Sequence, residues 1–85
     1  MPEPLNDKER QVLDLLITQA GGVNRPVRFG DLRKARFPEL VADIYQAHTD
    51  YLDSLASRLL QILDRKGWIT VKQAVNTVLY SPRSD

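Results

Sequence analysis

The sequence predicts an α+β fold in which three or four helices pack on a small C-terminal antiparallel hairpin, with room for a third short strand. Three observations predict it. A long amphipathic stretch occupies residues 50–66, and an earlier helical stretch at 6–20 has clear signals at both ends. Two runs rich in β-branched and aromatic residues, 68–72 and 77–81, then flank a turn.

Length and composition favour one ordinary globular domain. The 85 residues suffice for one modest core, so we expect a single domain at 1–85 with an ordered core at about 6–81. A hydrophobic content of 42% and a charged content of 27% argue against disorder. Apolar runs never exceed three residues and the chain starts without an apolar signal region. We therefore expect no membrane partner and a cytoplasmic location.

The first helix is predicted at about 6–20. Asn6 and Glu9 have the spacing of a capping box, and Gly21-Gly22 supplies a stop. Apolar residues recur at helical spacing between these signals, at Val12, Leu13, Leu16, Ile17 and Ala20. Leu15 lies off this stripe and is expected to face outward, which makes a homodimer through the first helix a hypothesis.

The middle of the chain predicts short elements. Pro26 restricts any strand at 27–29 to a short or edge position. A second helix is expected from Gly30-Asp31, and it should be short because Phe37 precedes a proline and is biased away from helix. An apolar stripe at 39–47 predicts a further short helix.

The long helix at 50–66 carries the broadest apolar stripe. Thr49 or Asp50 can cap its start, and Gly67 stops it. Its apolar residues fall within an arc of about 160°: Leu52, Leu55, Ala56, Leu59, Leu60, Ile62 and Leu63. The predicted core of the whole domain consists of Val12, Leu13, Leu16, Ile17, Leu32, Leu40, Ile44, Leu52, Leu55, Leu59, Ile62, Leu63 and Ile69.

The sequence contains few residues suited to catalysis. His48 is the single histidine, cysteine is absent, and the carboxylates are scattered. These residues offer no set at metal-ligand spacing, and Gly21-Gly22 is not followed by a phosphate-loop pattern. We therefore predict a non-enzyme without cofactor, metal or catalytic residues.

A basic cluster lies between residues 25 and 36. Five of the twelve basic residues fall there against the single acid Asp31: Arg25, Arg28, Arg33, Lys34 and Arg36. Such clustering favours contact with phosphates or with an acidic partner. The alternative is a solvated face with local salt bridges. The formal net charge of +1 means that only the placement of these charges can favour nucleic acid.

The outward face of the long helix offers side chains that can reach base edges: Ser54, Ser57, Arg58 and Gln61. Exposure to water explains the same residues equally well. Asp50 and Asp53 at the start of this helix repel phosphate. In the hairpin Lys72 is the single charge, and its tip at Ala74-Val75 is equally suited to a protein surface.

The order helix, short strand, helix, helix, hairpin, together with ILDRKGWI at 62–69, resembles the winged helix-turn-helix superfamily of DNA-binding domains over about residues 6–81. The resemblance implies that 50–66 is the recognition helix, that 30–37 supports it, and that the strand at 27–29 pairs with the wing. Members are mostly transcription regulators or replication factors, and a minority bind proteins. Here residues 38–48 interrupt the usual helix-to-helix turn of three or four residues.

The expected function is therefore duplex DNA binding through 50–66 and the basic segment 25–36, in transcription or replication regulation. The alternative is an adaptor that binds a protein partner without specific DNA binding. The predicted DNA-binding residues are Arg25, Arg28, Arg33, Lys34, Arg36, Ser54, Ser57, Arg58, Gln61 and Lys72.

Overall fold

The computed structural model describes residues 2–48 and 50–83, which form four helices and one three-stranded antiparallel sheet. The elements are α1 (Asp7–Ala20), β1 (Val27–Arg28), α2 (Phe29–Lys34), α3 (Phe37–Tyr45), α4 (Leu52–Arg65), β2 (Ile69–Ala74) and β3 (Thr77–Pro82). The strand order is β1-β3-β2. This is the predicted α+β class, in a layout consistent with a winged helix whose wing is C-terminal.

The first helix begins and ends where its signals predicted. The Glu9 amide donates to Asn6 Oδ1 at 2.7 Å and the Asn6 amide donates to Glu9 Oε1 at 3.0 Å, which completes the capping box. Gly21 ends the helix at φ +85°, a left-handed conformation that glycine adopts without steric cost. Leu15, expected to face outward, is half-buried and packs against the core.

The middle helices differ from the prediction at their boundaries. Helix α2 ends at Lys34, and Arg36 takes a left-handed φ of +61° that separates it from α3. Helix α3 begins at Phe37, two residues before the predicted start, because Pro38 lies in the first turn, where a missing N–H costs nothing. The bias of Phe37 away from helix was therefore overridden.

Helix α4 keeps its predicted stop but not its predicted cap. Tyr51 is the N-cap residue and makes no side-chain capping bond, so the expected cap at Asp50 is wrong; Thr49 lies outside the described residues. Gly67 adopts φ +90° and donates to Asp64 O at 3.0 Å, while the Trp68 amide donates to Leu63 O at 2.9 Å. These two bonds form a Schellman motif.

The sheet contains the predicted hairpin and the third strand. Strand β3 pairs with β2 from Ile69–Pro82 to Ala74–Thr77, and Val27 and Arg28 of β1 pair with Tyr80 and Leu79. Both hairpin strands are longer than predicted, and only Val75 and Asn76 remain in the turn. Asn76 takes φ +60°, the conformation its residue type predicted.

The core draws on every helix and on the sheet: its buried residues include Val12, Leu13, Leu16, Val27, Leu32, Phe37, Val41, Ala56, Leu59, Leu60, Leu63, Ile69 and Tyr80. Leu40 was predicted there but is 37% exposed, because the buried side of α3 runs through Phe37 and Val41 instead. Ile17, Ile44, Leu52, Leu55 and Ile62 are half-buried.

A short N-terminal segment, residues 2–5, is bound to the junction between α4 and β2. The Glu3 amide donates to Lys66 O at 2.8 Å, and the Trp68 indole N–H donates to Glu3 O. Lys66 Nζ lies 2.8 Å from Glu9 Oε1 and 3.4 Å from Pro4 O. Contacts with the rest of the domain therefore include residues before position 6, and Pro82 is buried as well.

Glu9 is the titratable carboxyl of this junction. Its hydrogen bond with Lys66, followed by the bond from the Asn6 backbone amide, lowers the pKa of Glu9 below its ordinary value of 4.5.

None of the helices formed by the described residues has the length and apolar character needed to cross a membrane.

Truncation of Leu59 tests the assignment of the buried face of α4. Leu59→Ala should lower the free energy of unfolding by about 2–5 kcal/mol, because it leaves a cavity at a position that is 5% exposed. Chemical denaturation measures it. Gln61→Ala, on the exposed face of the same helix, is the control and should stay within about 0.5 kcal/mol of wild type. Equal midpoints for the two variants would contradict the assignment.

Replacement of Glu9 by glutamine tests whether its charge, paired with Lys66, stabilises the junction between α4 and β2. Glu9→Gln keeps an acceptor for the Asn6 amide but removes the charge paired with Lys66. Because the folded-state pKa is lowered, the carboxylate stabilises the protein above about pH 4.5 and this stabilisation is lost as pH falls through the folded-state pKa. The variant should therefore be less stable than wild type at neutral pH, and the difference should shrink in acid.

Urea midpoints measured across this pH range give the result. Asp14→Asn, which removes an exposed carboxylate from the same helix, is the matched control. A stability difference for Glu9→Gln that stays constant from neutral to acid pH would show that the charge of Glu9 contributes nothing.

Candidate functional site

The exposed face of α4 carries a polar stripe that contains three of its four predicted site residues. Ser54, Arg58 and Gln61 are exposed, whereas Ser57 is half-buried to one side. Tyr51 and Arg65 extend the same line at both ends and are also exposed. At 100° per residue these five positions fall within an arc of about 80°. We call the set of Tyr51, Ser54, Arg58, Gln61 and Arg65 the α4 stripe.

Three acids, Glu39, Asp50 and Asp53, lie near the start of α4. Asp53, in the first turn of the helix, pairs with Arg33 of α2, with 3.1 Å between Nε and Oδ2. Both side chains remain at least half exposed, so the pair stabilises the fold only weakly. Its effect on the surface charge is larger, because it places the guanidinium of Arg33 beside the carboxylate of Asp53, which was expected to repel phosphate. Asp50 is exposed, and Glu39 Oε2 is buried without a hydrogen-bond partner among the described residues.

The structure brings part of the basic segment to the start of α4. Arg33 and Lys34 line an open hollow of about 480 Å³ together with Glu39 and Asp53. Arg36 lies at the left-handed residue between α2 and α3 and is exposed. Neither Lys34 nor Arg36 forms an ion pair with another described residue. These cations therefore flank the helix that carries the stripe.

Arg28 and Lys72 lie on the same face of the sheet instead. Both are opposite Leu79 of β3, one on each neighbouring strand, so all three side chains point to the outer face of the sheet. Two strand spacings separate the two cations, roughly 10 Å between their Cα atoms. Arg28 also pairs with Asp31 at 3.3 Å. The structure thus unites two predicted residues that are far apart in the sequence.

Arg25 is apart from both groups. It follows Asn24, whose amide donates to Pro82 O at 2.6 Å, and therefore lies at the end of the sheet opposite the wing tip. The predicted site residues are accordingly divided among α4 with α2, the outer face of the sheet, and this turn. The helical spacing of the stripe was sufficient to predict Tyr51 and Arg65 as members of the same surface. Tyr51 is the harder of the two to predict, because it lies at the boundary of the helix, where the periodic pattern begins.

The described part of the chain also contains titratable groups outside the surfaces above. Its His, Asp and Glu side chains form no group of three or more that could hold a metal ion. Burial raises the pKa of Tyr45 and of Tyr80, and both residues pack against or within the core. The groups with shifted pKa values therefore belong to the packing of the domain and not to its exposed surfaces.

No protein-family model, no curated protein and no solved structure matches this chain. Its function is therefore inferred from the surfaces described above.

Proposed function

We propose that this chain is a small winged-helix DNA-binding protein, a transcription or replication regulator, that contacts duplex DNA through α4 and the basic segment 25–36. The observation that carries the proposal is the α4 stripe, a line of exposed polar side chains without an acid. Helix α4 has 14 residues and is about 21 Å long. A major groove about 12 Å wide admits such a helix.

The chemistry of the stripe suits base edges. Arg58 can donate two hydrogen bonds to guanine and Gln61 can exchange two with adenine. They lie three residues apart on the same face, so they reach neighbouring positions in the groove. Of the acids at the start of α4, Asp53 pairs with Arg33, whereas Asp50 lines a hollow with Tyr51 and Ser54 of the stripe. The stripe can therefore approach DNA with less repulsion than the acids of α4 alone suggest.

Phosphate contacts come from the flanking cations. The exposed cations that form no ion pair with another described residue are Lys34 and Arg36 beside α4, Arg58 on α4, and Arg25, which lies apart at the end of the sheet. Arg28 and Arg33 would first have to leave Asp31 and Asp53, which costs little because exposed pairs contribute about 0.2–1 kcal/mol. With a net charge of only +1, binding depends on this local grouping and should be sensitive to salt.

Binding to a random duplex over a series of salt concentrations tests the proposal. Four phosphate contacts predict a log–log slope of about −3.6. Lys34→Gln/Arg36→Gln should flatten the slope by about 1.8 and weaken all sequences alike, since these side chains contact phosphates. The matched control, Lys8→Gln/Arg10→Gln, removes the same charge from exposed positions on α1. Equal losses for both double variants would show that only net charge matters.

A second candidate, a protein-binding adaptor, is favoured by the wing tip. Val75 is 88% exposed at the turn of a hairpin whose single charge is Lys72. A large apolar side chain in that position suits a protein surface better than a phosphate backbone. The two functions predict opposite behaviour for Val75 and Arg58.

Paired variants distinguish them. If the protein binds DNA, Arg58→Ala should weaken its preferred duplex by about 5- to 150-fold, the loss of a bidentate base contact. Val75→Ser should then change duplex affinity less than about twofold, because it alters neither charge nor the α4 stripe. Fluorescence anisotropy measures both. No duplex association at about 50 mM salt and tens of micromolar protein would favour the adaptor instead.

A further inference from the structure

A shallow hollow lies at the N-terminal end of the α4 stripe. It is open to solvent, has a volume of about 370 Å³ and is lined by Ala47, Tyr51, Ser54, Leu55 and Arg58. Tyr51 is 74% exposed, so its ring stands at the surface and not in the core. The volume lies at the low end of the range for small-molecule sites, which suits a single planar group.

The lining combines three kinds of contact. Tyr51 contributes an aromatic ring, Leu55 and Ala47 contribute apolar side chains, and Arg58 is the charged residue of the lining. Side chains on a helix lean toward its N-terminus, so the guanidinium of Arg58 extends back over the turn that contains Ser54. An aromatic platform with a cation at its edge is the arrangement that binds a nucleobase by stacking and its phosphate by charge.

We propose that this hollow is a stacking subsite for one unpaired base, so that the protein prefers duplex DNA with an unpaired nucleotide over continuous duplex. This inference rests on the proposed DNA-binding function. In a continuous duplex every base is already stacked between its neighbours, and Tyr51 finds no free face. An unpaired base at an arm, fork or bulge offers that face without the cost of extrusion.

The charges around the hollow determine which side the backbone of the unpaired nucleotide takes. Asp50 and Asp53 line a neighbouring hollow on the other side of Tyr51 and Ser54. A phosphate there would be repelled by Asp50, whereas Arg58 attracts it on the opposite side. The backbone of the unpaired nucleotide therefore runs past Arg58, in line with the stripe that faces the duplex.

The test compares three labelled probes by fluorescence anisotropy: a blunt duplex, the same duplex with a short unpaired oligothymidine arm, and the same duplex with an abasic arm of equal length. Wild type should bind the thymidine arm about 5- to 150-fold more tightly than blunt duplex, as expected for one stacked base. The abasic arm, which keeps the phosphates but has no bases, should give no such gain.

Variants at Tyr51 identify the platform. Tyr51→Ala should lose the preference for the thymidine arm, so that its affinities for the armed and the blunt duplex agree within about twofold. Tyr51→Phe keeps the ring and should keep the preference. Thermal melts of each variant, followed by Trp68 fluorescence, verify that the domain is folded.

Each result decides between the two proposals. Binding to blunt duplex without a gain from the thymidine arm, an equal gain from the abasic arm, or a loss of preference in Tyr51→Phe overturns the stacking subsite alone. Failure of wild type to bind any of the three probes overturns the proposed DNA-binding function and the subsite with it.

Discussion

The contact between Lys66 and Glu9 is the constraint on which the arrangement of this domain depends. It joins the first turn of α1 to the C-cap of α4, across 57 positions of sequence, at 2.8 Å. Lys66 holds the N-terminal segment through its backbone oxygen and its ammonium group, and Trp68 binds the same segment. The capping box orients Glu9 for this contact. The pair and the bonds around it therefore hold residues 2–5, the first turn of α1 and the C-terminal end of α4 together, just before β2 begins.

Local signals in the sequence predicted most of the architecture. The helix caps formed by Asn6 with Glu9, by Gly21 and by Gly67 depend only on residues close to them in sequence. The structure contains each of these three caps where the sequence predicts it. The periodic stripe of α4 likewise identified its buried face, because a helix of 14 residues repeats its pattern several times. Long, regular elements with strong end signals are thus readable from one sequence.

The errors arose where tertiary contacts override local preference. Phe37 is fully buried, although the following proline suggested that the chain leaves helical geometry there. The short α3 gave too few turns to distinguish Leu40 from Val41. Likewise, no rule of spacing links Arg33 to Asp53, since the pair forms only when the fold brings these two distant parts of the sequence together. The grouping of surface charges therefore required the structure.

The strand order β1-β3-β2 has a consequence for synthesis of the protein. Val27 pairs with Tyr80, so the first strand remains without its partner until the ribosome has added residue 80. Helices α1 to α4 can form earlier, but their shared core lacks its covering sheet until then. Contacts this distant in sequence slow folding, because a long loop must close before any bond is gained. The nascent chain therefore exposes core residues such as Val27 and Leu32 from their synthesis until residue 80 has been added.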